Sequence, residues 1–199
     1  MKRLILAQLS ACAAITGGVT NSCSDLLVGG ADDRLILFNY DEVETLDPNG
    51  TNPEIIEDIV LAATKVGYVF EGKQQSNEAK QTLVKKKYSN SWDHEIVFKI
   101  FGATPAAKIQ VEKFAAGAKL MALVQNNYKG TAGNGSFELY GVDTGLYLEA
   151  AERNVADTDT LGAFSITLKS SELFKEGHLP KTVFITDFAT TKAMIDALL

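Results

Sequence analysis

The side chains able to do chemistry are few and scattered. There are two histidines, His94 and His178, and two cysteines, Cys12 and Cys23. Neither cysteine belongs to a Cys-x-x-Cys pair or has a histidine ligand close by, which disfavours zinc. A disulfide between them would close only a short loop, and two partly buried thiols in a reducing compartment is the plainer reading. His94 falls on the apolar side of an alternating run and reads as a hydrogen-bonded core or interface histidine. His178 sits in the turn Glu176-Gly177-His178-Leu179-Pro180 and reads as solvated. The neighbouring acids Asp41-Glu42 and Glu57-Asp58 have the residue types of a glycosidase pair, but adjacent carboxylates on a surface segment read as a solvated face. Asp157 and Asp159 have a calcium-loop spacing without its glycine or its distal bidentate glutamate. No Gly-x-Ser-x-Gly, His-Glu-x-x-His or Cys-x-x-Cys motif is present. The expectation is a chain that is not an enzyme and uses no cofactor and no metal, with a hydrolase of scattered catalytic residues as the competing class.

Two further stretches invite a binding reading. Gly130-Thr131-Ala132-Gly133-Asn134-Gly135 is rich in glycine but lacks the Lys-Ser/Thr of a phosphate loop and leads into a strand. With no helix N-terminus there to hold an anion, it reads as a hairpin turn. Lys85, Lys86 and Lys87 are consecutive. They suit a nucleic-acid contact, or an exposed edge where lysine discourages unwanted pairing, or a cationic finger meeting an acidic patch on another subunit.

Bulk properties narrow the choice. The chain has 199 residues, 46% hydrophobic and 22% charged, enough to bury a core without disulfides or metals. Its net charge of −6 argues against an outer surface that grips DNA phosphates. Met1-Lys2-Arg3 and Leu4–Leu6 resemble the start of a secretory signal, and Leu9-Ser10-Ala11-Cys12 resembles a lipoprotein cleavage box. Gln8 interrupts the apolar run, which reaches Cys12 too soon for a usual signal core, so a short ordered arm packing on a neighbour is the favoured reading. No later apolar run is long enough to span a membrane, so no membrane insertion is expected.

The elements around these residues read as mainly β. Trp92, His94, Ile96, Phe98 and Ile100 alternate with polar or mixed residues, the period of a long strand through Phe101. Thr104 and Pro105 supply a helix cap and first-turn proline, and Ala107, Val111, Phe114 and Ala118 share one face of the helix they start. Strands are predicted at 35–39, 67–72, 82–88, 119–127, 137–142, 146–152, 161–169 and 183–186, with a short amphipathic helix over 190–199. Ile55–Thr64 fits a short helix or a strand equally well. Asp47-Pro48-Asn49-Gly50 and Asp143-Thr144-Gly145 are turns. The polar stretch from Lys73 through Gln75 and Asn77 to Lys80 reads as an exposed loop. The expected fold is α+β and mainly β, a β-sandwich or small barrel of antiparallel strands with one central flanking helix and a short C-terminal helix. Residues 1–34 form an N-terminal arm and residues 35–199 a single β-rich domain.

Strands, one central helix, then a β meander with Glu138-Leu139-Tyr140-Gly141-Val142-Asp143-Thr144-Gly145-Leu146 and Gly162–Leu168 resemble the tail tube proteins of long-tailed bacteriophages and their type VI secretion relatives. The pattern is similar to virion structural proteins of phages infecting Bacteroidota. The resemblance implies a homo-oligomeric, hexameric ring joined through sheet edges and stacked into a tube in the virion tail, assembled in the host cytoplasm. Its partners would be other copies of the chain and other tail proteins, with DNA passing through an acidic bore without sequence-specific binding. Inter-subunit contacts are expected at Lys73, Gln75, Asn77, Lys85, Lys86, Lys87, Trp92 and His94. A head–tail connector or tail terminator ring, and a bacterial surface lipoprotein or adhesion module, are the alternatives.

Overall fold

The computed structural model describes Gly18, residues 28–87 and residues 89–199. The readings made at Leu9–Cys12 and Cys23 therefore lie outside the described residues, as does most of the arm. The first strand, β1 (Ala31–Asn39), takes in Ala31–Arg34 ahead of the apolar run. It is followed by β2 (Val43–Pro48), β3 (Ile55–Leu61), β4 (Tyr68–Glu71), β5 (Glu78–Lys85) and β6 (Asn90–Ile100). Helix α1 (Pro105–Ala115) precedes β7 (Leu120–Asn126), β8 (Phe137–Tyr140), β9 (Leu146–Arg153), β10 (Phe164–Ser170), β11 (Lys181–Val183) and helix α2 (Phe188–Asp196).

The expected α+β, mainly β architecture is present. All eleven strands join one sheet whose main path runs β2-β3-β11-β8-β7-β9-β10-β6-β5, with β1 paired to β7 and β4 to β1. The small barrel is not formed, because the sheet does not close. Closure requires the two end strands to pair in register, and here β2 pairs only β3 while β5 pairs only β6 among the described residues. Pairing is antiparallel throughout except between β11 and β3, where Thr182 lies opposite Ile55 and Val183 opposite Ile56. Ile55–Leu61 is thus strand, not helix. Among the described residues, short β11 is the sole link between the β2–β3 hairpin and the rest of the sheet.

The packing follows from strand period. In β1 and β7 side chains alternate between two faces, and both faces are covered. Leu35, Leu37, Leu120, Ala122 and Val124 face a core shared with Ile96, Phe98, Phe114, Leu146, Ile166 and Leu168. Ile36, Phe38, Met121 and Leu123 face a second core with Ile56, Ile59, Leu139, Val183 and Ile195. Two buried faces explain why both strands read as unbroken apolar runs. In the first core Phe70, Phe98 and Phe114 cluster with ring centroids 5.4 to 6.3 Å apart, so β4, β6 and α1 meet there. Each fully buried ring contributes about 1.5–3 kcal/mol by leaving water.

The helices start as their caps dictate. Thr104 Oγ1 accepts the Ala107 amide at 3.3 Å, with Pro105 in the first turn. Of the predicted stripe only Phe114 is fully buried, and Ala118 lies past the end of α1. Helix α2 begins earlier than predicted because Asp187 caps it, accepting the Thr190 amide at 2.8 Å.

Candidate functional site: the β5–β6 hairpin and its buried brace

Strand β6 pairs with β10 only from Glu95 to Ile100. Its first half, Asn90–His94, continues with β5 alone on the ladder from Gln81↔His94 to Lys85↔Asn90. At about 3.3 Å per residue this carries the hairpin roughly 15 Å past the end of β10. The Lys86 amide bonds the Ser89 carbonyl at 2.9 Å and closes the turn, so Lys86 and Lys87 stand at the tip and Lys85 ends the strand. The three lysines were expected inside a strand running to Tyr88. The turn cuts that strand short, and its N-terminal end moves back to Glu78. Nearly all of β5 is exposed, including Leu83.

A projecting two-stranded ribbon is marginal by itself, and this one is braced from behind. Glu176 and Trp92 exchange backbone hydrogen bonds of 2.7 and 2.9 Å, adding a bridge to the unpaired side of β6. The Glu176 side chain is buried and accepts three hydrogen bonds, from the Asp143 amide at 2.7 Å, the Thr144 amide at 3.0 Å and Thr144 Oγ1 at 2.7 Å. Burial pushes this carboxyl above its ordinary range, against the pull of those donors. Asp143 answers from the β8–β9 turn, its Oδ2 accepting the Gly177 amide at 2.9 Å and lying 3.0 Å from His178 Nδ1. Lys175 and Lys169 both pair with Asp93, at 2.8 and 3.4 Å, and Lys169 also reaches Glu95. The turn at 143–145 positions these groups, and Gly145, at φ +79° with Lys119 and Tyr40 crowding its α-carbon, meets the need for a residue without a β-carbon.

His94 lies at the centre of the brace and is 1% exposed. Its amide donates to Ser170 Oγ at 3.0 Å, and its Nδ1 accepts the Gly141 amide at 3.3 Å. An accepting Nδ1 places the proton of the neutral ring on Nε2, which has no hydrogen-bond partner among the described residues. The ring meets Tyr140 edge-on, centroids 5.4 Å apart. Burial lowers the His94 pKa to about 4, so the imidazole is neutral at physiological pH. Burial also raises the Tyr140 phenol, whose hydroxyl donates to Glu138 at 2.8 Å.

The eight residues singled out from the sequence separate into three groups. Lys85, Lys86, Lys87 and Trp92 come together on the hairpin, with Trp92 half-buried. His94 supports that hairpin from inside and, being buried, does not present its ring at the surface. Lys73, Gln75 and Asn77 lie immediately before β5, at the end of the hairpin away from its tip, in a turn folded onto the start of β1. There Asn77 is buried, its amide donating to the carbonyls of Asp32 and Asp33 at 3.2 and 2.8 Å, and the Gln75 amide meets Asp33 Oδ1 at 2.6 Å. Lys73 lies over the Phe101 ring. Those bonds make the 73–77 segment a compact corner; the extended element is the hairpin. Glu176 stands in the sequence only as the first residue of the turn that carries His178, and its bracing role is not legible there, since a lone carboxylate in a turn carries no pattern and its partners are mostly backbone amides. The two turns, Asp143-Thr144-Gly145 and residues 176–180, are both legible; that they meet is not.

The described residues contain no group of three or more His, Cys, Asp and Glu side chains placed to hold a metal ion. No described helix is long and apolar enough to cross a membrane. No family model, no curated protein and no solved structure matches the chain.

Proposed function

We propose that this chain is a structural protein that works by binding copies of itself, joining edge to edge into a ring of the kind used by the phage tail tubes it resembles. The observation that supports the reading is the open sheet. Its terminal strands β2 and β5 each keep one edge unpaired among the described residues. Unpaired backbone N–H and C=O groups along an edge are a template for another strand, and in a closed ring every such edge is satisfied. The braced hairpin is the second support, because a ribbon held about 15 Å beyond its sheet has length to lay against a neighbour. The net charge of −6 is compatible with a passage that lets a polyanion slide by.

Negative-stain electron microscopy of the purified chain tests the reading. Rings or stacked tubes are expected. Single rings that never stack would place the chain among connectors or terminators, and particles that stay monomeric at the highest attainable concentration would overturn self-assembly.

A further inference from the structure

The two ends of the open sheet carry opposite charge. Over residues 78–87, β5 and its turn hold Lys80, Lys85, Lys86 and Lys87 against a single acid, Glu78. Over residues 41–48, β2 and its approach hold Asp41, Glu42, Glu44 and Asp47 and no basic residue. Glu42 is occupied, bonded to Lys65 and Asn39. Asp41, Glu44, Asp47, Lys80, Lys85 and Lys86 are exposed, and none of these six is in an ion pair among the described residues. Elsewhere the chain neutralises charges close to home, as Lys169 and Lys175 do with Asp93.

We infer that the occupant of the β5 edge is the β2 edge of a second copy of this chain, so that subunits join head to tail with the lysine edge of one against the acidic edge of the next. The inference rests on the self-assembly reading and specifies its contact. Like edges repel: β5 against β5 would set lysines beside lysines, and β2 against β2 carboxylates beside carboxylates, which opposes a two-fold dimer. Unlike edges attract, and a contact between two different patches is heterologous, the type that repeats into rings or filaments. The lengths are compatible, with six residues in β2 and eight in β5. Pro48 at the end of β2 has no N–H and limits the shared ladder at that point. The free edge of β4 is a poorer match, since it is only four residues long and Glu71 is its only charged side chain.

The test uses the full chain and two charge-reversed variants. One carries Lys80→Glu, Lys85→Glu and Lys86→Glu, the other Asp41→Lys, Glu44→Lys and Asp47→Lys. Sedimentation velocity should show the wild type associating, with association weakening as salt is raised. Each variant alone, now with two like-charged edges, should need on the order of tenfold or more higher concentration to associate. Mixed in equal amounts, the two should recover assembly, because every contact is again between unlike edges. That recovery also excludes misfolding as the cause of the single-variant loss. If the wild type assembles and either variant alone assembles equally well, or if mixing restores nothing, the edge assignment is wrong while self-assembly stands. If the wild type itself stays monomeric, the self-assembly reading fails first.

Discussion

Strands β1 and β7 and the β5–β6 hairpin are built from the same repeating geometry and put to opposite use. In β1 and β7 both faces are buried, and nearly every side chain is fixed by what it touches. In the outer half of the hairpin the β5 faces are open, and little inside the molecule dictates the choice of residue. The outer strand therefore gains its order second-hand, from the 170–178 segment and the buried Glu176 and His94 behind β6. Where packing decides nothing, charge is free to be placed for another purpose, and Lys80, Lys85 and Lys86, in no ion pair among the described residues, fall there.

The sharpest way to break this comparison is to remove volume from the inner strands. Phe38→Ala should cost about 3–5 kcal/mol, read from denaturant unfolding, because the ring is fully buried and the cavity cannot collapse from either side. A loss below about 1 kcal/mol would show that β1 is not held as described.

Acid should act on the brace before it acts on the inner strands. His94 has a folded pKa of about 4 against an ordinary 6.5, so the unfolded chain takes up the proton first. Its contribution is full above pH 6.5 and declines as pH falls toward 4, by about 3 kcal/mol in all. Glu176 runs the other way: its raised pKa makes its contribution greatest below the ordinary glutamate value and lost as pH rises through the folded one. Stability curves from pH 7 to 4 should therefore be flatter for His94→Leu than for the wild type. Equal slopes would count against a neutral, buried imidazole.

Glu176→Ala leaves two amides of the β8–β9 turn without their acceptor and should cost about 1–3 kcal/mol. Hydrogen exchange should then quicken at Trp92 far more than at Leu123, whereas uniform quickening would contradict a local brace. The smallest effect belongs to the tip, where Lys86→Ala should change unfolding free energy by no more than about 0.5 kcal/mol. A larger loss would mean that the tip contributes to the stability of the single chain.

The same contrast explains what could be read from the sequence. The alternation of Trp92–Ile100 and Phe164–Leu168 revealed β6 and β10, since one face of each is buried and the other is not. The apolar runs of β1 and β7 stood out because both faces are covered. Strand β2 was missed: Glu44, Asp47 and Pro48 look like loop residues, as befits an end strand with one open edge. The run Ile55–Leu61 was ambiguous because its apolar residues fit either period, and its pairing with β2 on one side and with β11, far along the chain, on the other decides it. His94 was correctly set on an apolar face, but its dependence on Gly141 and Ser170 is a tertiary matter. Asn77 looked like loop surface and is buried because backbone carbonyls of β1 satisfy its amide.

Strand β11 has a consequence for the order of events in folding. The acidic hairpin is made early in translation, yet its strand pairing to the rest of the sheet waits, among the described residues, for three residues more than a hundred positions downstream, and such distant pairings are the slow ones to form. A ribosome-bound chain cut short of Lys181 would carry the lysine ribbon already in place and the carboxylate ribbon without its partner strand in the sheet. Pulse-labelling such truncations should find Ile56 unprotected while Phe98 is already shielded. On the proposed assembly, joining to a neighbour is deferred until each copy has secured its own far end, a built-in delay against premature linkage.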